Sequence, residues 1–409
     1  MGQDFPFTIR EVAGLLNLHV RHRNTVSLDV DCPFCGEKKG KLNLNLKKNV
    51  FKCNRCGESG GMLALYGKIY GVDNQTAYQE IEDILYGTKE ITKYEVRTKQ
   101  IISEEPEVEN SPPASDAVRN KTYTVFFSLL RLSETHKKKL LERGFTEAQI
   151  EKNGYKSTPV FGFKNLTKKV IEAGCEVKGV PGFYQEADGA WSVHFNPKSG
   201  GFLIPIRNME GLIVGAQIRL DHPHDGRKYI WLSSVNYHMG TSSGSPLHLA
   251  GTPGAKTVFI TEGPLKGDLS YALSGRTFGC VPGANQYANL PDFLKSMKEA
   301  GTEFVYEAYD MDKLLKPVCR RDYNEECYKC PNYGNYQPDS YIPCEKKQTK
   351  RNNIQRGCTK LAKICRELRL PGKTLTWDMD ADGEWAGNIK GVDDYLFSLE
   401  QNKQSISTE

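Results

Sequence analysis

The sequence predicts a multidomain chain of mixed class, α+β followed by α/β, with a small cysteine-bearing ribbon in front. Three observations predict it. Two Cys-x-x-Cys pairs lie near the N-terminus, residues 88–118 lose apolar periodicity, and strand-type and helix-type segments alternate from residue 257 onward. At 409 residues the chain is long for one core, so several domains are expected. Its 38% hydrophobic and 26% charged residues are globular values, with no apolar run long enough for a membrane span. The opening residues do not read as a secretory signal, so a cytoplasmic protein is expected. Twelve cysteines in such a chain are better explained as metal ligands and reduced thiols than as disulfides.

The first element is a helix within residues 7–17, where Ile9, Val12, Leu15 and Leu16 fall at helical spacing. Residues 26–30 then alternate as a strand that delivers Cys32. Helices at 62–66 and 77–85 close a module ending near residue 87. Residues 88–118, rich in Glu, Lys, Ser and Pro, are expected to be a flexible linker. A second domain, 119–252, opens with helical stretches and turns strand-rich from 191 to 232. The third, 253–400, alternates strand and helix as a mostly parallel sheet does, with a polar Cys-rich insertion at 313–356 and a polar tail at 401–409.

Cys32-Pro33-Phe34-Cys35 and Cys53-Asn54-Arg55-Cys56 have the spacing that brings four thiolates to one tetrahedral Zn²⁺. With four protein ligands the ion is structural, and Gly36 and Gly57 suit the turn after each pair. The net charge is only +5, but Lys38, Lys39, Lys41, Lys47, Lys48, Lys52 and Arg55 are concentrated here. With Phe51 they suggest a basic, partly aromatic face for single-stranded nucleic acid. Cys319, Cys327, Cys330 and Cys344 could hold a second Zn²⁺ that folds the polar insertion, with Cys358 and Cys365 as substitute ligands. Cys175 and Cys280 read as packed or free thiols.

In the third domain, one buried strand ends on Glu262 and another on Asp310-Met311-Asp312. Carboxylates at such strand ends face the ligand crevice of an open α/β sheet, and Asp310 and Asp312 point the same way. One Glu and two Asp are the hard oxygen ligands that Mg²⁺ or Mn²⁺ takes together with substrate phosphates. Asp378 and Asp380, or Asp393 and Asp394, could complete the shell.

With these motifs in place, the chain resembles bacterial replicative primases of the DnaG type. The resemblance runs from Phe7 to about Tyr395 and rests on several segments. These are the two cysteine pairs, Leu141-Glu142-Arg143-Gly144, Asn153-Gly154-Tyr155, the strands around Arg207 and Arg219, Lys228-Tyr229, and the acidic motifs at Glu262 and Asp310. It implies a zinc-binding domain, a polymerase core and a Toprim-type catalytic sheet. The activity it implies is metal-dependent synthesis of RNA primers from nucleoside triphosphates on single-stranded DNA. By the same resemblance Arg207, Arg219, Lys228 and Lys266 touch template or nucleotide. The chain departs from the family at Cys35, where histidine is usual, at Lys266-Gly267 before Asp268, and in lacking small residues around Asp310 and Asp312. These differences suggest a divergent branch, as in a phage or mobile element. No helicase-binding domain is recognised before Glu409, so a helicase partner is expected in trans. The alternatives are a Toprim-type nuclease and a non-catalytic nucleic-acid-binding regulator.

Overall fold

A computed structural model describes residues 5–24, 26–86, 109–195, 200–224, 227–325, 327–338 and 341–406. The chain divides into two compact units, residues 1–109 and 110–409.

Unit 1 begins with α1 (Ile9–Leu15), set by a capping box in which Thr8 and Glu11 satisfy each other's backbone N–H groups. Five short strands follow: β1 (Val20–Arg23), β2 (Ser27–Cys32), β3 (Glu37–Asn45), β4 (Val50–Cys53) and β5 (Ser59–Gly61). They pair in sequence order, and every pairing is antiparallel. Alternation sends Leu28, Val30, Leu42, Leu44 and Phe51 inward, against α2 (Met62–Tyr70) and α3 (Asn74–Tyr86). Phe51 is 1% exposed and stacks on Phe34 with ring centroids 5.6 Å apart. The expected aromatic contribution to the ribbon's outer face is therefore corrected: this ring belongs to the core. The outward row is polar, running His22, Asp29, Asn43, Lys52 and Ser59 across paired strands.

Most of the expected linker lies outside the described residues, but its last part is docked onto unit 2. Ser111 donates its backbone N–H to Gly240 O (3.0 Å) and its hydroxyl to Met239 O (2.8 Å). Ser115 then caps α4 (Asp116–Ser128). The polar and proline-rich composition suggested a linker, yet these hydroxyls serve as anchors.

Unit 2 continues through α5 (Glu134–Glu142), α6 (Glu147–Asn153), β6 (Lys156–Ser157), α7 (Phe163–Glu172), β7 (Phe183–Gln185) and β8 (Trp191–Val193). With β9 (Gly201–Arg207), β10 (Ile213–His224) and β11 (Arg227–Trp231) it forms a four-stranded sheet of order β11-β10-β9-β6. The second large sheet has the order β12-β14-β13-β15-β16. Its strands are β12 (His248–Ala250), β13 (Thr257–Glu262), β14 (Thr277–Val281), β15 (Phe304–Glu307) and β16 (Gly372–Thr374). All its pairings are parallel except that of edge strand β12.

Helices α8 (Pro264–Ser274), α9 (Leu290–Glu299), α10 (Glu345–Glu367) and α11 (Val392–Ile406) complete the unit. Leu290, Leu294, Met297, Ile354, Leu361 and Ile364 pack with Val258, Ile260 and Val305 on one side of the sheet. Phe259, Phe278, Trp377 and Val392 form a second apolar cluster. The expected insertion shrinks at its end, because α10 starts at Glu345. Its first turns are polar, and Ile354, Leu361 and Ile364 alone reveal the buried face.

Candidate active site and metal centres

Cys32 ends β2, Cys53 ends β4, and each is followed by a tight turn that returns the second cysteine of its pair. Gly36 and Gly57 take positive φ (66° and 81°) directly after those turns. The four Sγ atoms lie within 4.8 Å of one another, with Cys32 to Cys56 at 3.9 Å and Cys35 to Cys53 at 4.0 Å. A zinc ion with Zn–S bonds of about 2.3 Å requires S···S edges of about 3.8 Å, so the set fits. Backbone N–H groups of Arg55 and Cys56 point at Cys53 Sγ (3.4 and 3.5 Å). Burial pushes the Cys32 thiol well up, a cost that a cation at the centre removes.

The second expected cysteine site is corrected. Val318 and Pro343 form an antiparallel bridge that brings their neighbours Cys319 and Cys344 onto adjacent segments, while Cys327 and Cys330 share one turn. Their sulfurs do not converge: among the described residues, the convergent cysteine group is Cys32, Cys35, Cys53 and Cys56.

The acid cluster stands at the carboxyl ends of β13 and β15. Glu262 closes β13, and Gly263, at φ 79°, turns the chain into α8. Asp310 and Asp312 follow β15 and are 6% and 4% exposed. Glu262 Oε2 accepts the N–H of Ala284 (3.3 Å), whereas Oε1 is shut off from solvent without a hydrogen-bond partner. Burial first, then the charge of Asp310, raises the Glu262 carboxyl above its usual range. The three carboxylates do not converge as the four thiols do: among the described residues no acidic group of three draws its ligand atoms together, so an ion here would take one or two of these carboxylates together with substrate phosphates.

Lysines already occupy these carboxylates. Lys266, on α8, bonds Asp310. It is placed by a close approach behind it: a Cβ on Gly267 would lie 2.0 Å from Cys280 Sγ, so α8 meets β14 only with glycine there. Lys390 lies 2.5 Å from Asp312 and 3.8 Å from Asp310, and Lys350, on α10, lies 3.6 Å from Asp312. Burial, then the charges of Lys390, Arg219, Lys350 and Lys266, depress the ammonium of Lys228, on β11. Arg219 donates to Tyr229 Oη (2.6 Å) and lies over that ring. The sequence reading named Arg219, Lys228 and Lys266 but missed Lys350 and Lys390. Only their position within a basic stretch and beside an acidic motif signalled them.

The remaining candidates fall elsewhere. The Arg207 side chain donates to Gly211 O (3.4 Å) in its own hairpin, while its backbone N–H donates to His248 Nδ1 (3.0 Å). His248 Nε2, which must then carry the proton, donates to Asp268 Oδ1 (2.8 Å), and Tyr155 Oη donates to Asp268 Oδ2 (2.7 Å). Asp268 is thus consumed in a buried strut between the two sheets. Asp378 accepts from the N–H groups of Asn388 and Ile389 (both 2.7 Å), and Asp380 from those of Asp382 and Glu384 (3.0 and 2.9 Å). Both aspartates therefore pin turns. Asp394 Oδ2 accepts the Gly391 N–H (3.2 Å) at the start of α11. Asp393, fully buried, pairs with Arg143 at 2.5 Å and contributes to the field on Lys266.

No family model matches the chain. It is similar to proteins of the DnaG primase class. One relative, a DNA primase of Lactococcus lactis subsp. lactis (strain IL1403), is 26% identical over 210 residues. That match covers 50% of this chain and 30% of the relative, so the chain spans less than a third of the relative's length. Among solved structures, the Aquifex aeolicus primase zinc-binding and RNA polymerase domains align over 88% of this chain and 87% of theirs. Identity there is 19% and the TM-score 0.35. The RNA polymerase domain of Mycobacterium tuberculosis primase DnaG, with a double-stranded DNA oligomer bearing a 6-nucleotide overhang, aligns over 60% of this chain and 81% of its own. Identity is 18% and the TM-score 0.38. Both TM-scores lie below 0.5, a likeness of part of the backbone only.

Proposed function

We propose that the protein is a DNA primase that joins ribonucleotides on a single-stranded DNA template. The observation that carries this reading is the cluster in which Lys266, Lys350 and Lys390 pair with Asp310 and Asp312 beyond the strand ends that carry Glu262. Acids alone would suit a metal and bases alone a phosphate chain; together they suit a nucleoside triphosphate with its Mg²⁺ or Mn²⁺. A bound divalent ion supplies Lewis-acid activation of the attacking 3′ oxygen and neutralises charge on the leaving pyrophosphate. One or two of Glu262, Asp310 and Asp312 would hold that ion, and Lys266, Lys350 and Lys390 would orient the triphosphate. The Cys32, Cys35, Cys53 and Cys56 ribbon, holding Zn²⁺, presents Lys52, Asn43 and His22 to template. A replicative helicase would act in trans.

The test is primer synthesis from labelled ribonucleotides on defined single-stranded templates. Wild type should form short RNA products, and Glu262→Gln should form none above background. Glu262-dependent cleavage of DNA without synthesis would replace the reading by a nuclease.

A further inference from the structure

The mostly parallel sheet of unit 2 has a second concavity, away from the acid cluster. A cavity of about 650 Å³ opens at the amino ends of β13, β14, β15 and β16, lined among others by Thr257, Phe259, Arg276, Thr277, Tyr306 and Lys373. Glu262 stands at the other end of β13, and alternation turns it to the opposite face from Phe259, so the two sites are separate. Under the cavity runs a row of rings in cross-strand register: Phe278 on β14, Phe259 on β13 and Tyr306 on β15. Successive centroids lie 5.2 and 4.9 Å apart, and the last two rings stack at 18°. The next position in the row, on edge strand β16, is Lys373. Among the described residues no further ring covers Tyr306 on that side, since its other ring contact, Phe304, precedes it on its own strand. Two exposed cations border the row. Arg276 lies 5.5 Å over the Phe259 ring, and Lys373 closes the edge. Among the described residues no carboxylate lines the cavity, and Glu303, just before β15, pairs with Lys256 instead (3.7 Å).

We propose that this cavity binds a nucleoside phosphate, with the base stacked on Tyr306 and the phosphate between Arg276 and Lys373. A row of stacked rings that ends on an uncovered aromatic face is extended by any planar heterocycle, whichever base it is. A guanidinium and an ammonium with no carboxylate beside them favour an anion at the rim. Thr252 and Thr257 offer hydroxyls to a sugar or base edge. The volume is that of a small-ligand site. A hydrocarbon would leave the two cations unmatched, and inorganic phosphate would leave the ring uncovered; a nucleoside phosphate answers both. The proposal stands on the sheet geometry alone and does not depend on the chemistry proposed at Glu262. A free nucleotide and one unit of a single strand present the same groups, and the test separates them.

Binding of 5′-AMP and of a 5′-phosphorylated single-stranded dA oligomer to the full-length protein is measured by equilibrium dialysis in excess chelator, which removes any metal-dependent binding at the acid cluster. Tyr306→Leu, Arg276→Gln and Lys373→Gln should each weaken one or both probes by about tenfold. Weaker AMP binding identifies a free nucleotide as the ligand, and a loss confined to the oligomer identifies a unit of a strand. The photoreactive 8-azido analogue of AMP, or an oligomer carrying the same base, should label peptides that contain residues 252–259, 276–277, 304–306 or 372–375, mapped by mass spectrometry. That label should disappear in Tyr306→Leu. Wild-type protein that binds neither probe, unchanged affinity for both probes in Arg276→Gln and Lys373→Gln, or labelling confined to other segments overturns the site. Circular dichroism separates loss of fold from loss of binding, and the two exposed cations keep the result decisive if Tyr306→Leu is unstable.

Discussion

The two ligand clusters solve the same electrostatic problem in opposite ways. In unit 1 the four thiols meet one another, Cys53 accepts two backbone N–H groups, and burial opposes the thiolate form of Cys32. In unit 2 the carboxylates meet ammonium and guanidinium groups: Lys266 on Asp310, Lys390 and Lys350 on Asp312, Arg143 on Asp393. The first cluster needs an added cation to be stable, and the second brings its own. The difference teaches that, on the proposed function, an ion is part of the fold in unit 1 and arrives with the ligand in unit 2.

Chelation tests this contrast with the largest effect. Structural zinc in small ribbons is worth about 10–16 kcal/mol, far more than so small a core can replace. Stripping the metal, or replacing Cys32 and Cys35 by Ser, should expose amides of residues 5–86 to hydrogen exchange while residues 110–406 keep their protection. Purified protein should carry one equivalent of zinc by elemental analysis. Protection retained in unit 1 after chelation would break the contrast.

Removing a built-in cation comes next. Arg143 and Asp393 form an ion pair whose carboxylate has no exposure. Arg143→Ala strands that charge and should cost about 3–5 kcal/mol in urea unfolding. A loss under about 1 kcal/mol would mean that the pair is worth no more than a surface ion pair. The acids themselves should behave differently. Glu262→Gln, Asp310→Asn and Asp312→Asn should each slow primer synthesis by roughly a hundredfold or more, since each removes charge stabilisation at the reacting phosphate. Their unfolding midpoints should change little, and single-strand binding should persist in a gel-shift assay.

The smallest effect asks whether counter-cations act alike away from the crevice. Asp221 would be raised by burial, but hydrogen bonds from Lys139 (2.8 Å) and His136 (2.9 Å) outweigh it and hold its carboxyl below the usual range. A lowered carboxylate contributes stability above its unfolded pKa and loses it as pH falls through the folded one. Wild type should therefore lose more stability than Asp221→Asn between about pH 6 and about pH 3.

What the sequence disclosed follows from how far apart partners lie. The cysteine pairs were legible because each pair is local and its spacing alone constrains the metal site. The position of Glu262 was legible because it ends an apolar strand, and that of Asp310 and Asp312 because they follow one; that β15 stops at Glu307 and Asp312 sits in a 3-10 turn was not. Lys350 was not: residues 345–353 look like any solvated basic stretch, and only α10's register carries the side chain to Asp312. Strand β14 was missed because Thr277-Phe278-Gly279-Cys280-Val281 is short and carries a glycine. It is nonetheless the neighbour that forces Gly267 and so sets Lys266. Asp268 looked like part of the acidic motif, and its capture by His248 and Tyr155 depends on two segments with no local signature.

The Arg143–Asp393 pair also bears on how the chain is made. The two residues stand 250 positions apart. At about 5–20 residues per second, the ribosome delivers Asp393 roughly 10–50 s after Arg143. Until then α5 and its neighbours carry a guanidinium whose internal counter-charge has not been synthesised, so this part of unit 2 cannot close on the nascent chain. Unit 1, whose four ligands emerge within 25 residues of one another from Cys32 to Cys56, can mature around its ion while the rest is still being translated.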